Sequence, residues 1–206
     1  MGFHFNAPRC TGCKTCALAC KDYNDLSETI AYRQVYEVGC GTWTQDANGC
    51  WSTDTQVYYL SLACNHCDAP ICVQVCPTGA MHKGDGGRVS VDTDRCIGCG
   101  YCQLSCPYHA PHVDRARGHS RKCDGCAVRL EAGKKPICVE ACPLRAIDFG
   151  PIEELRQRYG QVASVGRLPD ASVTRPNLVL TPPANVDEQG MLPAGAGDVL
   201  NPQDIV

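Results

Sequence analysis

The stretch that decides the fold lies near the middle of the chain and reads CIGCGYCQLSCP, residues 96–107. Its cysteines follow the spacing C-x2-C-x2-C-x3-C-P, which binds [4Fe–4S] clusters in bacterial ferredoxins. A loop with thiols at positions i, i+3 and i+6 can reach three irons of one cubane. The fourth cysteine begins the next helical stretch and points away, so it serves a second cluster.

The same arrangement recurs along the chain, because sixteen of the eighteen cysteines fall into four groups of four. Group I is Cys10, Cys13, Cys16 and Cys20; group II is Cys64, Cys67, Cys72 and Cys76; group III is Cys96, Cys99, Cys102 and Cys106; group IV is Cys123, Cys126, Cys138 and Cys142. Group I repeats the spacing of group III, whereas groups II and IV carry insertions. A proline follows the last cysteine of groups II, III and IV. Four such groups predict four metal clusters and hence an electron-transfer protein.

Two other uses of cysteine fit the pattern less well. A disulfide framework is typical of short secreted chains, but 206 residues can form an ordinary hydrophobic core. Structural zinc binds C-x2-C pairs, and group IV alone would suit it. The repeated x2-x2-x3 spacing is not typical of zinc, so the sequence favours iron–sulfur clusters over both alternatives.

Charge and hydropathy exclude some classes of partner. The formal net charge is −3 and the surface charges are mixed, which argues against nucleic acid as a partner. No stretch of 18 or more apolar residues occurs, so we expect no membrane span. The first residues lack a basic segment followed by an apolar one, and we therefore expect no signal peptide.

Several polar residues near the groups are candidates to tune the clusters. The cubanes would concentrate negative charge, and seven basic residues are candidates to offset it: Lys14, Lys21, Arg95, Arg121, Lys122, Lys134 and Lys135. For any single one of them, an ordinary solvated charge is the simpler interpretation. His66 lies inside the group II loop, and we expect it to hydrogen-bond nearby backbone and not to bind iron.

Strand and turn signals lie between the cysteine groups. Strands are predicted at residues 3–6 (as a sheet edge), 32–37, 56–61, 80–82, 88–91 and 145–149. Helical segments are predicted at residues 17–23 and from Pro151 onward. Beyond about residue 165 repeated prolines predict an extended arm that lies on a partner subunit. Cys40 and Cys50 flank a predicted hairpin tip, and two free thiols or one disulfide would both fit there.

In combination, these motifs make the chain similar to the iron–sulfur electron-transfer subunit of the dimethyl sulfoxide reductase complex, in the molybdopterin oxidoreductase family. The segments that carry the resemblance are residues 10–23, 64–67, 76–82, 96–99, 122–126, 133–138 and 142–152. Spacing alone would allow groups I and II, and groups III and IV, to form the two modules. The resemblance instead implies that group I pairs with group IV and group II with group III.

The resemblance implies an α+β fold with two ferredoxin-like 2[4Fe–4S] modules, one nested in the other. Residues 1–23 and 116–164 would form the outer module, and residues 64–115 the inner module. Residues 24–63 would be a β-rich insertion, and residues 165–206 an extended proline-rich tail.

Crossed ligation in these modules would give four [4Fe–4S] clusters, which we number 1 to 4. The resemblance assigns Cys10, Cys13, Cys16 and Cys142 to cluster 1. It assigns Cys20, Cys123, Cys126 and Cys138 to cluster 2. It assigns Cys64, Cys67, Cys72 and Cys106 to cluster 3. It assigns Cys76, Cys96, Cys99 and Cys102 to cluster 4.

The resemblance implies a non-catalytic subunit in a respiratory complex. Electrons would come from a quinol-oxidising membrane anchor subunit and leave to a molybdopterin catalytic subunit that reduces dimethyl sulfoxide or a related S- or N-oxide. The subunit would be peripheral on the cytoplasmic membrane, on its periplasmic face, and exported together with the catalytic subunit. The alternative is a soluble polyferredoxin, or an iron–sulfur subunit that serves a formate dehydrogenase or a hydrogenase.

Overall fold

The computed structural model describes residues 1–187, 191–193 and 197–205, which form a mixed α/β fold of short elements. The strands are β1 Gly2–Asn6, β2 Arg33–Cys40, β3 Trp43–Gln45, β4 Trp51–Thr53, β5 Gln56–Ala63, β6 Met81–Lys83, β7 Val89–Val91, β8 His112–Asp114, β9 His119–Arg121, β10 Ile147–Gly150, β11 Leu178–Thr181 and β12 Asp198–Val199. The helices are α1 Thr15–Tyr23, α2 Ile71–Gln74, α3 Tyr101–Ser105, α4 Ala127–Glu131, α5 Ile137–Glu140, α6 Ile152–Tyr159 and α7 Ala171–Thr174.

A three-stranded sheet joins the beginning of the chain to its later part. β1 lies in the middle, antiparallel to β10 and parallel to β11. Phe3 and Phe5 of β1 are buried, with Leu178 and Leu180 of β11 in the same core. The predicted strand at residues 3–6 is therefore confirmed, but its placement at a sheet edge is wrong. β11 covers the second edge because its leucines bury apolar surface against the core.

A second sheet is built on a long hairpin. β2 and β5 pair antiparallel from Arg33 opposite Ala63 to Cys40 opposite Gln56, and β12 adds to the other edge of β2. β3 and β4 extend the hairpin into solvent, and its tip turns at Asn48 and Gly49, within the segment predicted as a hairpin tip. Cys40 and Cys50 are both free thiols, which agrees with the first of the two interpretations.

The cysteine groups lie in loops that small hairpins and one-turn helices support. β6 pairs with β7, as the predicted strands at residues 80–82 and 88–91 require, and β8 pairs with β9. In the third group Cys102 lies in α3 and Cys106 directly follows it, and in the fourth group Cys138 lies in α5. The described residues contain no helix long and apolar enough to cross a membrane.

Part of the segment after residue 165 packs on the rest of the same polypeptide. The backbone N–H groups of Asp68 and Ala69 donate to the carbonyls of Arg175 and Thr174, at 2.8 and 2.9 Å. Asn177 donates from its side chain to the carbonyl of His66 at 2.8 Å. Residues 171–181 therefore pack on the group II loop and on β1 of the same chain, where an arm on a partner subunit was expected. Residues 188–190, 194–196 and 206 of the predicted tail lie outside the described residues.

Candidate iron–sulfur site

Each cysteine group begins with a loop that has the same backbone shape. The residue just before the second cysteine has a positive φ in all four groups: Gly12 at 68°, His66 at 46°, Gly98 at 66° and Gly125 at 75°. A left-handed residue there makes the backbone reverse direction, so the first two thiols can face a common centre. Glycine accepts this conformation without steric cost, and His66 is the exception. The pattern C-x-G-C was readable in the sequence as this turn.

Short helices then separate the last two cysteines of each group. Cys16 and Cys20 lie four residues apart in α1, and the same spacing recurs at α2, α3 and α5. Residues four apart lie on one face of a helix, about one turn from each other. The third cysteine of a group can therefore bind one cubane, and the fourth cysteine, one turn further along, can bind the neighbouring cubane.

Cysteines that are distant in sequence lie together in four sets. Cys10 interacts electrostatically with Cys13, Cys16 and Cys142, although 132 residues separate it from the last of these. Cys20 interacts in the same way with Cys126 and Cys138, and these two with Cys123 form the second set. Cys72 has as its neighbours Cys64, Cys67 and Cys106. The fourth set lines one cavity: Cys76, Cys96, Cys99 and Cys102.

Two electrostatic interactions between sets indicate which of them are adjacent. Cys16 of the first set lies near Cys138 of the second. Cys123 of the second set lies near Cys64 of the third. The second set therefore lies between the first and the third.

Hydrogen-bond donors surround the sulfur atoms. Backbone N–H groups donate to Cys76 from Met81 at 3.3 Å and to Cys142 from Ala146 at 3.3 Å. Ser120 donates from its backbone to Cys96 at 3.2 Å. Such donors favour the thiolate that binds iron, and in iron–sulfur proteins they raise the reduction potential.

Burial makes most of these thiols poor acids until a metal replaces the proton. Burial raises the pKa of Cys20 and of Cys72 to about 12 in each case, with the neighbouring cysteines adding to the effect. Cys64 is the contrary case. Burial would raise the pKa of its thiol, but Lys122 and His66 lower it to about 5. Binding of iron as thiolate complexes would remove the proton from each ligand.

Two buried cations, Arg33 and Lys122, lie among the cysteines. In the part of the chain that the structure describes, no other Lys or Arg side chain is buried. Lys122 was one of seven candidates in the sequence; the other six are exposed or half-buried. Arg33, only 2% exposed, was missed. Alternation along β2 would not have found it, because Arg33, Gln34 and Val35 are buried in succession at the start of the strand.

The surroundings of Arg33 fit a negatively charged group. Its Nη1 donates to Ser61 at the carbonyl oxygen and at Oγ, both at 3.0 Å. Its guanidinium lies 4.6 Å from the centre of the Phe3 ring, a cation–π contact. Nε and Nη2 are buried without a protein partner. Buried donors are almost always satisfied, so these two fit sulfur acceptors on a bound cluster.

His66 is buried and accepts a hydrogen bond at Nδ1 from the backbone of Val89, at 3.1 Å. The expected contact with nearby backbone is thus confirmed. Within residues 1–187, 191–193 and 197–205, no three His, Cys, Asp or Glu side chains converge as they would on a single metal ion. A cubane requires a different arrangement, since each thiolate binds an iron at its own corner.

Comparison with known proteins agrees with this site. A family model described as a 4Fe–4S dicluster domain matches residues 55–152. Over 204 residues the sequence is 52% identical to the B subunit of the anaerobic dimethyl sulfoxide reductase of Escherichia coli K12, an alignment that covers 99% of this protein and 98% of the relative. It is 56% identical over 181 residues to the corresponding B subunit of Haemophilus influenzae, with 88% of each covered. The thiosulfate reductase electron transfer subunit PhsB of Salmonella typhi is 40% identical over 147 residues, covering 71% of this protein and 73% of the relative.

The fold and the site define an iron–sulfur protein that carries [4Fe–4S] clusters and transfers electrons. More narrowly, the protein belongs to the family of the dimethyl sulfoxide reductase B subunits, the iron–sulfur subunits of respiratory reductase complexes. It is an electron-transfer subunit and not the catalytic one.

Proposed function

We propose that the protein holds four [4Fe–4S] clusters and relays single electrons from a quinol-oxidising membrane anchor subunit to a molybdopterin catalytic subunit. That partner would reduce dimethyl sulfoxide or a related S- or N-oxide. The observation that carries the proposal is the gathering of sixteen cysteines into four sets of four, in a sequence 52% identical to a dimethyl sulfoxide reductase B subunit over nearly its whole length. Each cluster, when bound, takes up and gives away one electron with little change of shape.

The ligand sets we propose are those that the resemblance assigns to clusters 1 to 4. Support comes from the neighbours of each thiol, most clearly from Cys10 and Cys142, which interact across the whole length between groups I and IV. The electrostatic interactions of Cys16 with Cys138 and of Cys123 with Cys64 support the order 1, 2, 3 for the first three clusters. In this arrangement the protein's own residues fix the thiolates, bury eight of the sixteen and supply the donors that set each potential.

We also propose the nested arrangement of modules, with the outer module formed by residues 1–23 and 116–164 and the inner one by residues 64–115. The pairing of β1 with β10 supports it, because this pairing joins residues 2–6 to residues 147–150. Contacts between α1 and α5 support it as well. Residues 24–63 form the proposed β-rich insertion, and residues from 165 the proposed tail.

In the complete complex we propose that the subunit lies on the periplasmic side of the cytoplasmic membrane, exported together with the catalytic subunit. Protease treatment of spheroplasts tests this location. Cleavage of the subunit in intact spheroplasts is expected, and protection until the cells are lysed would refute it.

Iron content and one distant variant test the ligand sets. The complex purified without oxygen should contain, in this subunit, about 16 iron and 16 sulfide per chain. Cys142→Ser should alter the EPR signal of the cluster bound by group I and leave the signal of cluster 2. Cys40→Ser is the matched control, because Cys40 belongs to no set and should leave all four signals unchanged. Loss of cluster 2 and retention of cluster 1 in Cys142→Ser would refute the pairing.

The same preparation tests the function. The complex should oxidise a quinol and reduce dimethyl sulfoxide or another S- or N-oxide, and Cys142→Ser should slow the overall reaction. Isolation of the protein as a free soluble monomer, with no bound partner, would instead favour a polyferredoxin.

A further inference from the structure

We propose that Arg33 and Lys122 are fixed charges that set the potentials of successive clusters, with Arg33 acting on clusters 1 and 2 and Lys122 on clusters 2 and 3. The inference rests on the ligand sets of the proposed function and extends them. It assigns a role to two residues that bind no iron.

Arg33 lies between the cysteines of clusters 1 and 2. The sulfur atoms that act on it electrostatically come from both sets: Cys16 from cluster 1, and Cys20, Cys123 and Cys138 from cluster 2. An arginine guanidinium is not deprotonated in proteins, so the charge that Arg33 brings to this position is fixed.

Arg33 also reaches one ligand through an intermediate hydroxyl. Its Nη1 donates to Ser61 Oγ at 3.0 Å, and Ser61 Oγ lies 3.3 Å from the sulfur of Cys16. Its buried Nε and Nη2 have no protein acceptor. The guanidinium is thus held in place on one side by Ser61 and by the ring of Phe3, and its remaining donors are available to the clusters.

Lys122 has the corresponding position between clusters 2 and 3. It is 5% exposed, and its Nζ donates to the carbonyls of Val89 and Cys123. The cysteines on which it acts are Cys64, Cys72 and Cys106 of cluster 3 and Cys123 of cluster 2. Cys123 therefore lies near both cations.

No buried Lys or Arg is described beside the cysteines of cluster 4. Its sulfur atoms instead receive neutral donors, such as the backbone N–H of Ser120 to Cys96 and that of Met81 to Cys76. Among the described residues, cluster 2 lies beside two buried cations, clusters 1 and 3 beside one each, and cluster 4 beside no buried cation.

A fixed cation stabilises the reduced state, because reduction adds one electron and hence one negative charge to a cluster whose thiolates already make it negative. A unit charge on the order of 10 Å away, at an effective dielectric constant of about 20, changes the reduction equilibrium by roughly tenfold. For a one-electron couple, a tenfold change corresponds to about 59 mV.

The test is a potentiometric EPR titration of the intact complex with charge-neutral variants. Arg33→Gln should lower the potentials of clusters 1 and 2 by about 59 mV each, and Lys122→Gln those of clusters 2 and 3. Because the two cations act from separate positions, the double variant should lower the potential of cluster 2 by about twice that amount. The potential of cluster 4 should stay unchanged. Cys→Ser variants of single ligands assign each signal to its cluster.

Controls separate charge from packing. Arg33→Lys and Lys122→Arg keep the charge and should restore the potentials to near those of the native protein. Arg115→Gln removes the same charge from an exposed turn between β8 and β9, and it should change the potential of no cluster.

Equal shifts in Arg33→Lys and Arg33→Gln, a uniform shift of all four clusters, or no shift would overturn the proposal. If Arg33→Gln lost a cluster, Lys122→Gln would apply the same test to clusters 2 and 3. Loss of the flanking clusters in both neutral variants would show that the cations hold the clusters and do not set their potentials. A wrong set of ligands would be recognised separately, because a cysteine variant would then lose the EPR signal of a different cluster from the one assigned to it.

Discussion

Replacing Asn177 should detach the group II loop from the segment that supports it. The side chain of Asn177 is 2% exposed and donates from Nδ2 to the carbonyl of His66 at 2.8 Å and to Asp68 Oδ1 at 3.0 Å. Its backbone N–H also donates to the carbonyl of Asn65 at 3.0 Å. All three acceptors lie in or next to the loop that would hold cluster 3.

The expected cost follows from the two side-chain hydrogen bonds that Asn177→Ala removes. The bond to the His66 carbonyl contributes about 1 kcal/mol. The bond to the half-exposed carboxylate of Asp68 contributes about 1–2 kcal/mol after allowance for solvent. The free energy of unfolding should therefore fall by about 2–3 kcal/mol, which in a protein of this size lowers Tm by roughly 4–12 °C.

The assay combines thermal unfolding under argon with iron analysis and EPR. Cluster 3 should be lost first on mild heating or exposure to a chelator, and the iron content should fall from about 16 toward about 12 per chain. Asn185→Ala is the control, because Asn185 makes a single side-chain bond to Gln56 at 3.2 Å. An unchanged Tm and iron content in Asn177→Ala, or earlier loss of cluster 1 or 2, would refute the reasoning.

Three further predictions concern other parts of the structure. Gly98→Ala should lower the free energy of unfolding by about 2–3 kcal/mol and reduce the occupancy of cluster 4. The reason is that φ of Gly98 is +66° and an added Cβ would lie 2.7 Å from the carbonyl oxygen of Gly118. Gly118→Ala, also at positive φ but in open space, should cost about 1 kcal/mol. Phe5→Ala should destabilise the central sheet by about 3–5 kcal/mol in thermal unfolding, since Phe5 is 1% exposed; a cost under about 1 kcal/mol would contradict this packing. Burial lowers the pKa of His4 to about 4, so the neutral imidazole favours the folded state above pH 6.5 and this stability is lost as the pH falls from 6.5 to 4. The Tm of His4→Gln should accordingly change less between about pH 7 and about pH 5 than that of the native protein, and equal changes would contradict the burial argument.

The regular elements could be predicted where local signals were strong. The alternation of β-branched and aromatic residues predicted β2 and β5, and proline followed by carboxylates predicted α6. The position of β1 in its sheet could not be predicted, because its second neighbour, β11, lies more than 170 residues later in the sequence. Prolines after residue 165 suggested an extended arm, but the buried leucines of β11 decided where that segment packs.

What the sequence alone determined is the chemistry: the spacing of four cysteine groups predicts cubane clusters, since three thiols at i, i+3 and i+6 can reach one cluster through a local loop. What only the tertiary structure decided is which distant residues meet. Three interactions join segments that are far apart in the sequence: that of Cys10 with Cys142, that of Arg33 with two cysteine sets, and that of Asn177 with the group II loop. Local spacing fixes short-range geometry, but contacts of this kind depend on how strands and helices bury their apolar faces against one another, which no single stretch of sequence specifies.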